Sequence, residues 1–375
     1  MDSEQIAPRR WLSVDALRGF DMFWIMGGDY IVRSLPKIHD STLTRELAAQ
    51  MDHCEWAGFH FYDLIFPLFV FIVGVSLVFS VSRMIERAGR RAAIKRIVIR
   101  SVILFLLGIF YMGGVANGFK NVYFAGVLHR IAVAYFFTSL IFCFLGSSPS
   151  PMAKKEGLFT MIGFCLLLLV GYWALLTFVP VPGIGAPSLD GPGKNLAHYI
   201  DELYLPGQKF EGTLLSTMAA VANCLLGVFA GLLLKSASMP NQKKVYWLLG
   251  SGIASLAVGF AWAQKFPIIK LLWTSTYVLV ACGYSAILLA VFLQVIDIWK
   301  FQKWAQPFVW MGMNAITTYI AASVVNFHRL AERFVGGDIK LFLGNYAALI
   351  QAIVGTALGF WLVRFLYRKK VFLRL

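Results

Sequence analysis

The sequence predicts an all-α, polytopic membrane protein of about ten transmembrane helices. Three observations carry that expectation. Of the 375 residues, 59% are hydrophobic and only 14% charged, against about a quarter charged in a soluble domain. The mean hydropathy is +0.70, and the apolar residues gather into runs of roughly 20, the length that crosses a hydrocarbon core. The net charge of +15 is concentrated in short connections, as in "RMIERAGRRAAIKRIVIR" and the closing "YRKK".

In order, the runs fall near 11–34, 60–84, 95–113, 126–146, 158–180, 213–235, 244–264, 271–296, 304–327 and 344–367. The connections after the second, fourth, sixth and eighth hold Arg83 to Arg100, Lys154 and Lys155, Lys243 and Lys244, and Lys300 and Lys303. With the two termini they form the positive side, so the N- and C-termini are expected in the cytoplasm. The opposite face then carries the longer connections near 35–59 and 181–212, and a shorter one at 328–343. The stretch 181–212 is dense in Pro and Gly, too polar to span and too long for a turn, so a folded extracytoplasmic loop is expected. No internal repeat is visible, and residues 1–375 read as one integral-membrane domain.

Clusters of Lys and Arg between spans face anionic lipid. Nucleic-acid binding is excluded as an expectation, because no soluble basic domain presents a surface for it. No signal peptide is recognisable: the first apolar run is too long for an h-region and has no small-residue cleavage site. Cys143, Cys165, Cys224 and Cys282 lie in apolar runs and only Cys54 at a boundary, which gives no disulfide framework. No N-x-[ST] sequon occurs, which fits a bacterial inner membrane.

Ionisable groups inside spans cost about 2.5–3.5 kcal/mol each at a helix centre, so each one needs a reason. The first run holds Asp15, Arg18, Asp21 and Asp29. At about 100° per residue Asp15, Arg18 and Asp29 share a stripe and Asp21 points elsewhere. Asp15 and Arg18, at i and i+3, suit an ion pair or a cationic rim for an anionic ligand. Asp29, after "GG", shows no evident cation nearby in sequence. The second run opens with His60 and Asp63, and Pro67 loosens the backbone just beyond. Arg130, Glu211, Asn223 and Asn314 are further polar groups at or in spans, each explicable as a helix-packing hydrogen bond.

The segment "MDHCEWAGFHFYDLIFP", residues 51–67, gathers the densest set of titratable groups. His53, Cys54, Glu55, His60 and Asp63 are metal-ligand types, but no H-x-x-x-H, C-x-x-C or H-E-x-x-H spacing occurs, and no metal is expected. A histidine base oriented by a carboxylate is more economical, and His53 with Asp29 at the extracytoplasmic ends of the first two spans suits it. The residues alone leave two functions open. One is group transfer across the membrane; the other is proton-coupled sugar transport with Asp15, Asp29 and Asp63 as proton sites.

From residue 13 onward the chain also resembles a family, the transmembrane acetyltransferases typified by heparan-α-glucosaminide N-acetyltransferase. The blocks are "SVDALRGF", "WAGFHFYDLIFPLFVFIVG", "GVLHRIAVAYF", "PVPG", "HYIDELYL", "EGTL", "LLGVFAG", "LLWTSTYV", "GMNA" and "YRKKVF", in family order. The resemblance implies transfer of acetyl from cytoplasmic acetyl-CoA to the amine of a terminal glucosamine or related amino sugar across the membrane, without a metal, in a homodimer. It assigns the active-site histidine to His53 and a second catalytic position, an asparagine in the animal enzyme, to Asp29. Arg18 is the first candidate for the CoA phosphates, and Asn223 and Asn314 for an oxyanion. Asp15, Asp63, Arg130 and Glu211 complete the expected substrate-binding set. The family's large N-terminal lumenal region and extra span have no counterpart here, so a smaller acceptor is expected. O-acetylation of an envelope glycan is the neighbouring alternative.

Overall fold

A computed structural model describes residues 11–116, 118, 121–146, 151–205 and 213–372. The helices are α1 (Leu12–Phe23), α2 (Asp29–Arg33), α3 (Leu35–Ile38), α4 (Thr42–Ala49), α5 (Ile65–Tyr111), α6 (Val127–Ile141), α7 (Pro151–Phe178) and α8 (Leu196–Tyr204). They continue with α9 (Thr217–Lys235), α10 (Asn241–Ala263), α11 (Ser275–Phe292), α12 (Gln306–Met313), α13 (Ala315–Val325), α14 (Phe327–Glu332), α15 (Gly337–Leu343) and α16 (Ala347–Arg368). Two isolated bridges, Ala57 with Ile269 and Val181 with Gly185, are the β pairing among the described residues. The all-α class is as expected, and the long apolar helices are those of an integral membrane protein.

Seven helical stretches among the described residues are long and apolar enough to span, or eight if α12 and α13, bent by 77°, count as one. The sequence predicts about ten, and the count falls at two places, the joined second and third runs and the divided first run. The second and third runs form a single stretch, Phe61–Tyr111, which at 1.5 Å per residue would measure about 77 Å unbroken, over twice the core thickness. It breaks at Gly89, whose φ of +79° lies in the left-handed region that glycine enters without steric cost. The first run is divided into α1 and α2 by a wide turn at Trp24–Gly28, where Gly27 takes φ +133°. The regular 100° period therefore stops before Asp29, and the stripe expected to join it to Asp15 and Arg18 does not run through.

The chain forms two compact units. The first takes Met1–Thr44, Pro240–Leu248 and Ile287–Arg374. Within it α1 lies directly against α12: a Cβ on Gly19 or Gly312 would strike the backbone of Phe308 or Asp15. The Ser13 N–H donates to the Asp297 carboxylate at 3.0 Å, and Phe20 packs edge-on to Phe292 and Phe308.

The second unit takes Arg45–Met239 and Leu249–Ala286. Its central contact pairs α5 with α9 at Gly74, Gly227 and Gly231, where added Cβ atoms would meet the opposing backbone. Small residues give such close approach in membranes, where packing rather than hydrophobic exclusion joins helices. The Asn223 amide of α9 donates to the Pro67 carbonyl of α5 at 3.1 Å. On α7, Phe159, Leu166, Leu167 and Val170 stay exposed, as a lipid-facing helix requires.

Candidate active site

Residues 50–64 form a tight turn leading into α5. The Gln50 carbonyl accepts from Tyr62 N–H at 3.0 Å and its side-chain oxygen from Phe61 N–H at 2.9 Å. A 3-10 turn, Phe61–Leu64, then starts the long helix, with Asp63 reaching back to the His60 N–H at 3.0 Å. That capping arrangement fixes the carboxylate, which also accepts from Cys54 N–H at 3.3 Å.

The other carboxylate oxygen lies 2.9 Å from His53 Nδ1. Asp63 is 0% exposed and the His53 side chain 50%. A buried acid thus grips one edge of an imidazole that is itself half exposed. The ring of Tyr62 lies 5.0 Å from that of His53. The His60 side chain turns away, its Nδ1 3.0 Å from the Asp52 carbonyl, so its backbone rather than its ring serves Asp63.

A third member comes from far along the chain. Lys270 Nζ lies 2.6 Å from His53 Nδ1, 2.9 Å from Nε2 and 3.3 Å from Asp63 Oδ1. Its side chain is 17% exposed, and burial pulls its ammonium down to about 8, with Asp63 opposing that shift. Lys270 is absent from the expected site. It carried one signal: it is the lone charged residue between Lys265 and Asp297.

Cys54, His60 and Asp63 place possible ligand atoms within 4.8 Å of one another. Their chemistry suits hydrogen bonding better than an ion. Asp63 already receives two backbone N–H groups, and Lys270 brings positive charge to it. Burial and the neighbouring Asp63 push the Cys54 thiol up to about 11, away from the thiolate that binds metals.

Pro67 has a further consequence. Lacking an N–H, it cannot bond the Asp63 carbonyl one turn back, and the Tyr277 hydroxyl donates to that carbonyl instead at 2.7 Å. Nearby, the Arg130 guanidinium lies 4.6 Å over the face of Trp273. Asp201, in the long connection, accepts from the Leu214 N–H at 2.9 Å and from the Thr213 N–H, and burial raises its carboxyl above the usual range.

The remaining expected residues are placed as follows. Asp29 belongs to the first unit and does have a cation, Arg33 one turn on, at 3.3 Å; the i, i+4 spacing is the signal that was overlooked. Arg18 pairs with Asp15 at 3.5 Å, as the spacing suggests, and donates to the Gly312 carbonyl at 3.2 Å. Asn314, also in the first unit, is buried at the bend after α12, and its amide atoms have no partner among the described residues. Asp21 is fully buried, and both its carboxylate oxygens likewise lack a partner there. Glu211 lies outside the described residues.

No family model matches the chain. It is similar to a protein of Mus musculus called heparan-alpha-glucosaminide N-acetyltransferase, 28% identical over 375 aligned positions that cover 85% of this chain and 56% of the relative. The Homo sapiens protein of the same name is 28% identical over 373 positions, covering 85% and 55%. This is a distant family relationship, and the chain spans about half the length of the curated relatives it matches.

Proposed function

We propose that this chain, distantly related to heparan-alpha-glucosaminide N-acetyltransferases, transfers acetyl from cytoplasmic acetyl-CoA to the amine of a terminal glucosamine or related amino sugar on the other side of the membrane. The observation that carries the reading is His53, half exposed, with Nδ1 2.9 Å from the fully buried carboxylate of Asp63, in a chain with that relationship.

A carboxylate that accepts from Nδ1–H leaves the lone pair on Nε2. In the proposed reaction Nε2 takes a proton from the acceptor amine as the amine attacks the thioester carbonyl. Asp63 holds the tautomer and balances the imidazolium that forms. Arg18, beside Asp15 on the first helix, is the proposed phosphate contact for the CoA nucleotide. The proposal includes a homodimer in a bacterial inner membrane with both termini cytoplasmic. Asp29, assigned from the resemblance, is tested beside Asp63.

The test uses proteoliposomes with labelled acetyl-CoA on one face and glucosamine on the other. N-acetylated sugar is expected. His53→Ala should abolish it while the melting temperature holds, and Asp63→Asn should lower kcat by about 10²–10⁴-fold. Comparison with Asp29→Asn shows which carboxylate serves the histidine. Retained activity in His53→Ala sinks the reading. Sugar crossing unmodified would establish a carrier, and a base-labile product an O-acetyltransferase.

A further inference from the structure

The segment 266–274 is built with more constraint than a simple connection needs. Ile268 accepts from the Gly58 N–H at 2.9 Å and Ile269 bridges Ala57, which ties the segment to the loop bearing His53. Within it the Thr274 hydroxyl donates to the Pro267 carbonyl and accepts from the Ile269 N–H, both at 3.0 Å. The Trp273 N–H closes a turn on the Lys270 carbonyl at 3.0 Å. Trp273 itself takes φ +54°, a left-handed conformation that bulky residues avoid and that persists only where surroundings enforce it. Those surroundings are visible: Trp273 is 1% exposed, edge-on to Phe66 and Tyr277, with Arg130 over its face. What this braced turn delivers is the ammonium of Lys270.

A lysine ammonium donates and never accepts. The Nζ of Lys270 lies beside the imidazole, 2.6 Å from Nδ1 and 2.9 Å from Nε2, with the Asp63 carboxylate 3.3 Å away. Nδ1–H is given to Asp63, so the Nε2 lone pair is the one an acceptor amine uses, and the ammonium stands beside the place where that amine reacts. Resting on the proposed acetyl transfer, we propose that Lys270 is a further catalytic residue: its ammonium, fixed beside His53, holds the carbonyl oxygen of the acetyl group during transfer.

Asp63, 3.3 Å from Nζ, keeps the cation at the site. The amine nitrogen then bonds to the thioester carbon, and the carbonyl π pair moves onto oxygen. The Lys270 ammonium N–H meets that oxyanion while Nε2 takes the amine proton. The oxyanion pair returns, the carbon–sulfur bond breaks, and the leaving thiolate takes the proton from His53. A preorganised cation at developing charge is the largest kind of catalytic contribution a side chain makes.

The titratable groups facing Nζ are His53 and Cys54 on the loop and Asp63 at the helix start. Cys54 titrates near 11, well above Lys270 at about 8. The ammonium is the working form, so activity should fall as pH rises through about 8. The experiment measures kcat and KM against pH for the full chain in proteoliposomes, comparing wild type with Lys270→Met and Lys270→Arg. Lys270→Met should lose about 100- to 1000-fold in kcat, with acceptor KM within about threefold, and lose the alkaline limb. Lys270→Arg, permanently charged, should keep more activity and carry its limb to higher pH. Wild-type kcat in Lys270→Met overturns the inference, as does equal loss in both variants or an alkaline limb unchanged by either. His53→Ala inactive with Lys270→Met fully active removes this inference alone. An active His53→Ala removes the acetyl-transfer reading beneath it.

Discussion

Asp63 is served by three parts of one unit: the turn at 53–60, the lysine at 270 and, through its own carbonyl, Tyr277. The Tyr277 contact exists because Pro67 supplies no N–H, and it gives a test that leaves every charged group in place. Tyr277→Phe removes the donor from a buried carbonyl, which costs about 1–3 kcal/mol. A lower melting temperature in detergent is expected, and an unchanged one would mean that another donor moves in. Part of this was legible in sequence. The cluster at 51–67 stood out, and the resemblance picked His53 from it. The partner was harder to read: Asp63 sits ten residues from His53, a spacing no helix period favours. Lys270 is 217 positions away, and only its isolation in an apolar stretch hinted at a role.

Between helices, glycine decides which faces meet. Gly227 of α9 sits where a Cβ would meet the Phe71 carbonyl of α5, whereas Gly250 of α10 faces open space and is exposed. The two should respond oppositely to substitution. Gly227→Val overpacks a backbone contact and should cost about 1–3 kcal/mol or more. Gly250→Ala should gain about 0.5–1 kcal/mol from reduced chain entropy. Thermal melts of both variants check the pair, and equal shifts would contradict the packing described. The apolar runs were legible because hydropathy reports span length directly. The break in the first run was not, since "GG" at 27–28 is indistinguishable in sequence from the glycines that only pack, whereas Gly89 lies in the charged connection expected between the second and third runs.

For the molecule as a whole, composition alone established an integral membrane protein, and charge placement supplies the expected orientation. That expectation can be checked on the second unit, with Cys54→Ser to remove the half-exposed native thiol. Arg87→Cys should react with a membrane-impermeant maleimide only from the cytoplasmic face, and Ser188→Cys only from the opposite one. Labelling of both from the same side would refute the orientation. The division into two units was hidden from sequence reading, because each is assembled from separated stretches. That discontinuity sets an order of events at the ribosome. The stretch ending at Thr44 must wait for the one beginning at Ile287, about 10–50 s at common elongation rates. During that wait Asp15, Asp21 and Asp29 have been made before α12 and α16 exist to pack against their helices. The second unit meets the same delay in smaller form: His53 and Asp63 are synthesised long before Lys270, so the nascent site holds an acid and a base before it acquires its cation.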